Sequence, residues 1–332
     1  MANANTVWIV LQQREGRVSR LSWEAIAAGQ RLARALGAEA EAVLLGSGVR
    51  ALADEVAAAD LAAVHVADHE ALAAYTPGGY VGALAPAIGQ AAPAWVVFPH
   101  TYQTVDYFAR LAQELGAGLL PEVTGFEEGD GGLVWRRPIL GGKLVSKVRV
   151  KGEGTVLVSV QSGAFPADQV ARGGGAEVRE LPVDAGRARP DREILGVEEV
   201  AGEQVDLTRA DVIVAVGRGV GGEDKMGVVH DLAAALGAEI AASRPVVDNG
   251  WLPRDRQIGS SGQTVAPKLY LAAGISGAIQ HVVGMKGATT IVAINKDPGA
   301  PIFNLAHYGI VGDLHEVLPA LTEAVREAKG TG

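Results

Sequence analysis

Short apolar runs alternate with amphipathic stretches along almost the whole chain. TVWIVLQQ, EAEAVLLG, AAVHVADH and AWVVFPH read as strands, and the segments between them carry apolar residues at helical spacing. Ser22 is expected to cap the first helix, which ends near Gly37 and holds Glu24 in its first turn; another helix is expected from about Thr104 to Gly116. Strands that alternate with helices predict a parallel, right-handed α/β sheet. After Gly116 the period changes, because GGLVWRRPILGG, KLVSKVRV and GTVLVSVQSG are β-rich and leave no room for helices between them. These three runs predict an antiparallel extension of the first domain.

Residues 181–208 are charge-dense and carry Pro190, a composition suited to an exposed linker. The expected linker covers residues 185–205. It separates an N-terminal α/β domain of residues 1–190 from a second α/β domain of residues 205–332, which begins with DVIVAVG and ends in a helix from about Leu314 to Lys329.

The 332 residues contain no cysteine, which removes disulfides, thiolate metal sites, iron–sulfur ligation and cysteine nucleophiles together. Any redox role therefore needs a bound cofactor. The net charge is −9 with scattered basic residues, so a nucleic-acid partner is not expected. Residues 71–105 lack charged side chains, but Pro77, Pro86 and Pro93 interrupt them, which argues against a membrane span. The amino terminus has no secretory pattern, and the protein is expected to be cytoplasmic and not membrane-inserted.

The chemistry concentrates in the last third, where glycine turns recur at the ends of apolar strands. Gly217, Gly219 and Gly222 fit G-x-G-x-x-G after a strand, but the acidic residue expected about 20 positions on is not clearly present. Arg218 inside that turn is either a solvated arginine or one aimed at the crevice where α/β sheets bind ligands. Ser243 and Arg244 hold the equivalent place after the next strand, beside Pro245. IGSSGQTVAP reads as a surface loop or as an edge of hydroxyl and amide contacts for a planar ligand. GISGAIQH is the stronger signal: Gly274 ends a strand, Ser276, Gly277 and Ala278 open a helix with unspent N–H donors, and Gln280 and His281 follow. Asn295 is a hydrogen-bonding residue at a strand end, and Asp313 is a helix N-cap or a ribose ligand. AINKDPGAPIF lacks the phosphate loop a GTPase requires, and no nucleophile elbow, zinc motif or acid–base pair is evident.

GRGVGGED, ASRPVVDNGW, QIGSSGQTVAPKLYLAAGISGAIQHVVGMK, IVAINKDPGAPIF and YGIVGDL resemble the FAD-binding domain of the electron transfer flavoprotein alpha subunit. RLAQELGAGLLPEVTGFE and the order of strands carry a looser likeness in the first domain. The resemblance implies a C-terminal parallel-sheet domain that binds FAD, an N-terminal domain that meets a beta subunit in a heterodimer, and a carrier with no substrate conversion of its own. Single electrons would pass from flavin dehydrogenases, such as acyl-CoA dehydrogenases, to a quinone oxidoreductase or similar acceptor.

By position, the resemblance assigns FAD contacts to Arg218, Ser243, Arg244, Ile258, Gly259, Ser260, Ser261, Ser276, Gly277, Ala278, Ile279, Gln280, His281, Asn295, Asp313 and Leu314. It further implies that Arg244 lies by the isoalloxazine, that Ser261 bonds its N5 and that His281 approaches a pyrimidine carbonyl, so these three tune the potential. Many relatives carry threonine where this chain has Ser261, and the hydroxyl is kept. The alternatives are an FAD- or NAD-dependent oxidoreductase acting directly on a small substrate, and a nucleotide-binding scaffold.

Overall fold

The computed structural model describes residues 3–14, 16–140, 144–196 and 205–330. The chain forms two compact units, Met1–Glu198 and Glu199–Gly332. The expected linker therefore falls partly, at residues 197–204, outside the described residues. Among the described residues no helix is long and apolar enough to cross a membrane, and no cluster of His, Asp or Glu could hold a metal.

The first unit opens with β1 (Asn3–Leu11), a small antiparallel pair β2 (Gln13–Arg14) and β3 (Arg17–Val18), and helix α1 (Arg20–Leu36). The cap of α1 lies one turn before the expected position: Ser19 accepts from the Ser22 N–H, and Gly37 closes the helix in the left-handed region. Ser22 is drawn inward instead, its hydroxyl bonding both the N–H and the C=O of Gln12. Glu24 consequently falls beyond the first turn and is buried.

The chain continues through β4 (Glu39–Gly46), α2 (Arg50–Ala57), β5 (Ala63–Asp68), α3 (Pro77–Ala91), β6 (Pro93–Pro99), α4 (Tyr102–Leu115) and β7 (Gly118–Val123). Residues 71–105 thus hold a Thr76-capped helix with Pro at its start, and not a membrane span. β8 (Gly125–Gly129), β9 (Gly132–Ile139) and β10 (Leu144–Val148) form a separate antiparallel sheet.

The expectation that GTVLVSVQSG belongs to that extension is corrected. Its core, β11 (Val156–Val160), is a parallel strand between β6 and β7 in a seven-stranded sheet of order β12-β5-β4-β1-β6-β11-β7, closed by β12 (Glu177–Glu180). All five residues of β11 are buried, four of them apolar and the fifth Ser159, as expected of a strand covered on both faces. Two apolar cores flank this sheet, one under α1 and α2 and the other under α3 and α4.

The second unit is a five-stranded parallel sheet of order β14-β13-β15-β16-β17. In chain order it runs β13 (Val212–Val216), α5 (Gly227–Leu236), β14 (Glu239–Ala242), α6 (Arg244–Asp248), β15 (Leu269–Ala273), α7 (Ile279–Val282), β16 (Thr290–Asn295), β17 (Tyr308–Val311) and α8 (Leu314–Ala328). Val216, Val229, Leu232, Leu271, Ile294 and Leu318 pack α5 and α8 onto one face of the sheet, and Ile213, Tyr270, Ile291 and Ile302 fill the other. The fold is two α/β domains built on parallel sheets, as the alternation of strands and helices predicts.

Candidate functional site

All five strands of the second sheet run the same way, so their carboxyl ends share one edge, where open α/β sheets bind ligands. Most candidate residues gather on that edge. Arg218 follows β13, Ser243 and Arg244 follow β14, Gly274 to Gln280 follow β15, Asn295 ends β16, and Asp313 follows β17.

The glycine fingerprint serves packing. Gly217 N–H donates to the Ala273 carbonyl at 2.8 Å and Gly219 N–H to Gly274 at 3.2 Å, while a Cβ on Gly217 would strike the Gly274 carbonyl. Two strand-end turns therefore lock together at the point where the sheet order reverses. The next helix, α5, starts only at Gly227, so the turn does not present its amides directly at a helix start. Arg218 is exposed at its head, with no ion-pair partner among the described residues.

The turn after β15 is different, because its donors are unspent. The N–H groups of Ser276, Gly277 and Ala278 have no backbone acceptor among the described residues. Gly277 has φ +86, and a Cβ there would run into the Pro301–Ile302 backbone. Helix α7 spans only four residues, so the anion-binding capacity lies in these loop amides rather than in a long helix dipole. Asn295 braces the turn: its side chain donates to the Ile275 carbonyl at 2.9 Å and accepts from the Asp297 N–H at 3.0 Å.

Residues 257–263 form a narrow loop tied at both ends. Ile258 N–H donates to the Ala242 carbonyl at the end of β14, and Ser260 N–H to the Gln280 carbonyl at 2.7 Å, while Gly259 packs against Gln280 too closely for a Cβ. Ser260 and Ser261 are exposed at the tip, whereas Ile258 and Gly259 are buried beneath it. Arg244 is largely exposed and pairs with Asp248 at 3.3 Å, an ion pair too solvated to hold it firmly. Ser243 precedes α6 without capping it through its side chain. Asp313 caps α8, accepting from the His315 N–H at 2.9 Å, and Leu314 is buried in the core behind it.

His281 turns inward. It is 6 % exposed, its Nε2 lies 2.8 Å from the hydroxyl of fully buried Tyr270, and its Nδ1 is buried without a hydrogen-bond partner. Burial pushes its pKa down to about 4, and the nearby Ile258 backbone offsets this only in part, so the imidazole is neutral at physiological pH. Two residues behind the site carry no signal in the sequence, Tyr270 and Gln257, and Gln257 is 5 % exposed and donates to the Ser261 hydroxyl at 2.9 Å. Tyr270 sits in an apolar strand pattern and Gln257 beside a glycine loop; neither position signals a polar partner.

The residues present fit a flavin dinucleotide. Unspent loop amides suit its pyrophosphate, the exposed cations Arg218 and Arg244 suit its negative charge, and Ser260 and Ser261 offer hydroxyls to a ring edge.

The Electron transfer flavoprotein FAD-binding domain family matches residues 206–286, and the Electron transfer flavoprotein domain family matches residues 7–186. The chain is 36 % identical over 330 residues to the electron transfer flavoprotein subunit alpha of Thermoanaerobacterium thermosaccharolyticum, covering 99 % of this chain and 100 % of that protein. It is 40 % identical to the subunit alpha of Mycobacterium tuberculosis, covering 98 % and 99 %. A protein FixB of Azotobacter vinelandii is 38 % identical, with 98 % and 92 % covered.

Proposed function

The chain belongs to the electron transfer flavoprotein alpha subunit family, and from that premise we propose that it is the FAD-holding half of a heterodimer that carries single electrons between other proteins. Its C-terminal unit binds FAD. The proposed donors are flavin dehydrogenases such as acyl-CoA dehydrogenases, and the proposed acceptor is a quinone oxidoreductase or a similar protein. The partner is the beta subunit, met by the N-terminal domain, residues 1–190, and the pair works in the cytoplasm.

The observation that supports this reading best is the sheet edge itself. It offers unspent amides, two exposed arginines and two exposed hydroxyls, the equipment for binding a redox cofactor. Bound FAD supplies the chemistry, taking up and releasing electrons one at a time. In this reading Ser276, Gly277, Ala278, Ile279 and Gln280 hold phosphate through the backbone, and Arg218, Ser243 and Asp313 contribute polar contacts at neighbouring strand ends. Ser260 and Ser261 face the ring, while neutral His281 supports the loop beneath them.

Arg244 is the proposed tuning charge. A cation about 4 Å from a ring that gains one electron stabilises it by roughly 4 kcal/mol at an effective dielectric of 20. That corresponds to at most about 170 mV for one electron, less in proportion to the solvation and the Asp248 pairing of the guanidinium. Arg244→Ala is expected to lower the first one-electron potential, and an unchanged potential in a spectroelectrochemical titration would refute the assignment.

The carrier reading has a direct test. Co-purified with its partner subunit, the chain is expected to give a yellow complex that an acyl-CoA dehydrogenase reduces in the presence of an acyl-CoA. Reduction by the acyl-CoA alone, without the dehydrogenase, would instead point to an oxidoreductase acting directly on a small substrate.

A further inference from the structure

We infer that Gln257 is a positioning residue that turns the Ser261 hydroxyl into a fixed hydrogen-bond donor for the flavin ring. The inference rests on the proposed reading that Ser261 meets the ring. It starts from an uneven pair: Ser260 and Ser261 are both exposed, but only Ser261 has its hydroxyl bonded to a buried side chain. An exposed serine needs no such support, since water satisfies it, and a glutamine amide in a core is costly to bury unless its bonds are made.

The local geometry enforces the contact. Gln257 is held by its backbone on two sides, donating to the Arg254 carbonyl at 3.1 Å and accepting from the Gln263 N–H at 2.7 Å. Gly262 carries no Cβ in a space already filled by the Gln257 carbonyl and Cβ, which lets Ser261 fold back onto the glutamine. Gln263 anchors the far arm, its side chain accepting from Leu207 N–H at 3.0 Å and donating to the Val205 and Asp255 carbonyls. The tip of the loop is thus set by three residues outside the proposed FAD contacts.

The hydroxyl has one hydrogen to give and two lone pairs to receive with. Gln257 Nε2 donates to the oxygen, so the hydrogen of Ser261 is not spent on that bond and remains available. Accepting that bond also polarises the O–H and makes it a better donor. A ring nitrogen becomes more electron-rich as the flavin gains an electron, so a donor fixed beforehand favours the reduced ring without reorganising. Were the amide turned round, its oxygen would take the serine hydrogen, leave only lone pairs facing out, and act in the opposite direction.

The test uses the FAD-loaded complex with its partner subunit and a double-mutant cycle of Ser261→Ala and Gln257→Met, read as the first one-electron potential. Ser261→Ala is expected to disfavour reduction by about tenfold, which is about 59 mV for one electron. Gln257→Met is expected to move the potential in the same direction, and the double variant no further than Ser261→Ala alone. A normal potential in Ser261→Ala overturns the ring-contact reading and this inference together. A shift in Ser261→Ala with none in Gln257→Met, or equal Gln257→Met effects with and without the serine, overturns the inference only. Should Gln257→Met fail to fold, nuclear magnetic resonance of the Gln257 side-chain amide gives the same answer. Its signal is expected to shift and its hydrogens to exchange faster in Ser261→Ala, and an unmoved signal refutes the contact.

Discussion

Both units are parallel α/β sheets with loops at the carboxyl ends of their strands, yet they treat those ends in opposite ways. In the first unit several amides at or near those ends are spent on the protein's own side chains. Asp68 at the end of β5 takes the N–H groups of Gly48, Val49 and Arg50 at the start of α2, and Glu24 takes that of Gly163 after β11. The Ser159 hydroxyl takes that of Glu122, in a bulge where Glu122 has φ +57, and also bonds the His100 Nδ1. In the second unit the turn after β15 leaves the N–H groups of Ser276, Gly277 and Ala278 without a backbone acceptor among the described residues. Identical architecture therefore does not place a cofactor site. What marks one is unsatisfied hydrogen-bonding capacity that the fold maintains at its own expense.

The largest expected effect comes from closing that opening. Gly277→Val adds a side chain where even a Cβ meets the Pro301–Ile302 backbone, and does so at φ +86, where β-branched residues are strained. The turn has to move, and flavin retention is expected to fall at least a hundredfold, about 3 kcal/mol. Flavin absorbance of the purified complex against total protein checks this, and full retention would mean that the amides of this turn do not hold the cofactor.

A second perturbation probes the self-satisfied unit. Burial pushes the Glu24 carboxyl up to about 7, with the Gly163 N–H and Arg20 pulling it back only partly. Its folded pKa exceeds the ordinary 4.5, so its contribution to stability is fully present below pH 4.5 and is lost as pH rises through 7. The span is at most about 3 kcal/mol. Glu24→Gln keeps an oxygen for Gly163 but cannot ionise, so the stability of the first unit is expected to flatten between pH 4.5 and 8. Tryptophan fluorescence reports this, since Trp8, Trp23, Trp95 and Trp135 lie in that unit and only Trp251 in the other. A pH dependence equal to that of the unsubstituted protein would show that Glu24 does not titrate there.

The contrast also explains what could be read from the sequence. Alternating apolar runs and glycine turns are enough to locate both sheets and to bring Arg218, Arg244 and residues 274–280 to one edge, because those signals are local. The sequence does not place β11, because a short buried run such as VLVSV is compatible with any covered strand, and only the neighbours β6 and β7 decide its direction. Ser22 reads as a cap in the sequence because its competitor Ser19 stands only one turn earlier and the pull of Gln12 is tertiary. Gln257 and Tyr270 were invisible for the same kind of reason: a buried glutamine that supports an exposed serine, or a tyrosine that meets a histidine eleven residues on, exists only once the loops have folded. Local periodicity carries the scaffold and the strand-end chemistry, whereas the residues behind the contacts depend on packing.

The smallest effect gives the sharpest form of the comparison. Asp68 occupies the start of α2 as a ligand anion would, its two oxygens taking three backbone donors at 2.7, 3.0 and 3.2 Å. Asp68→Ala removes the cap while leaving the donors near solvent, so water replaces part of the loss and the expected cost is only about 1 kcal/mol. If the first unit differs from the second chiefly in having filled its own anion position, that position reopens in the variant. Added phosphate should then restore about 1 kcal/mol at concentrations several-fold above its dissociation constant, and should do less for the unsubstituted protein, where a carboxylate already sits. Denaturant titrations of both proteins with and without phosphate, at matched ionic strength, measure this difference. An equal response in the two would mean that Asp68 acts only as a loop tether, and that the analogy between the two sheet edges stops at their shape.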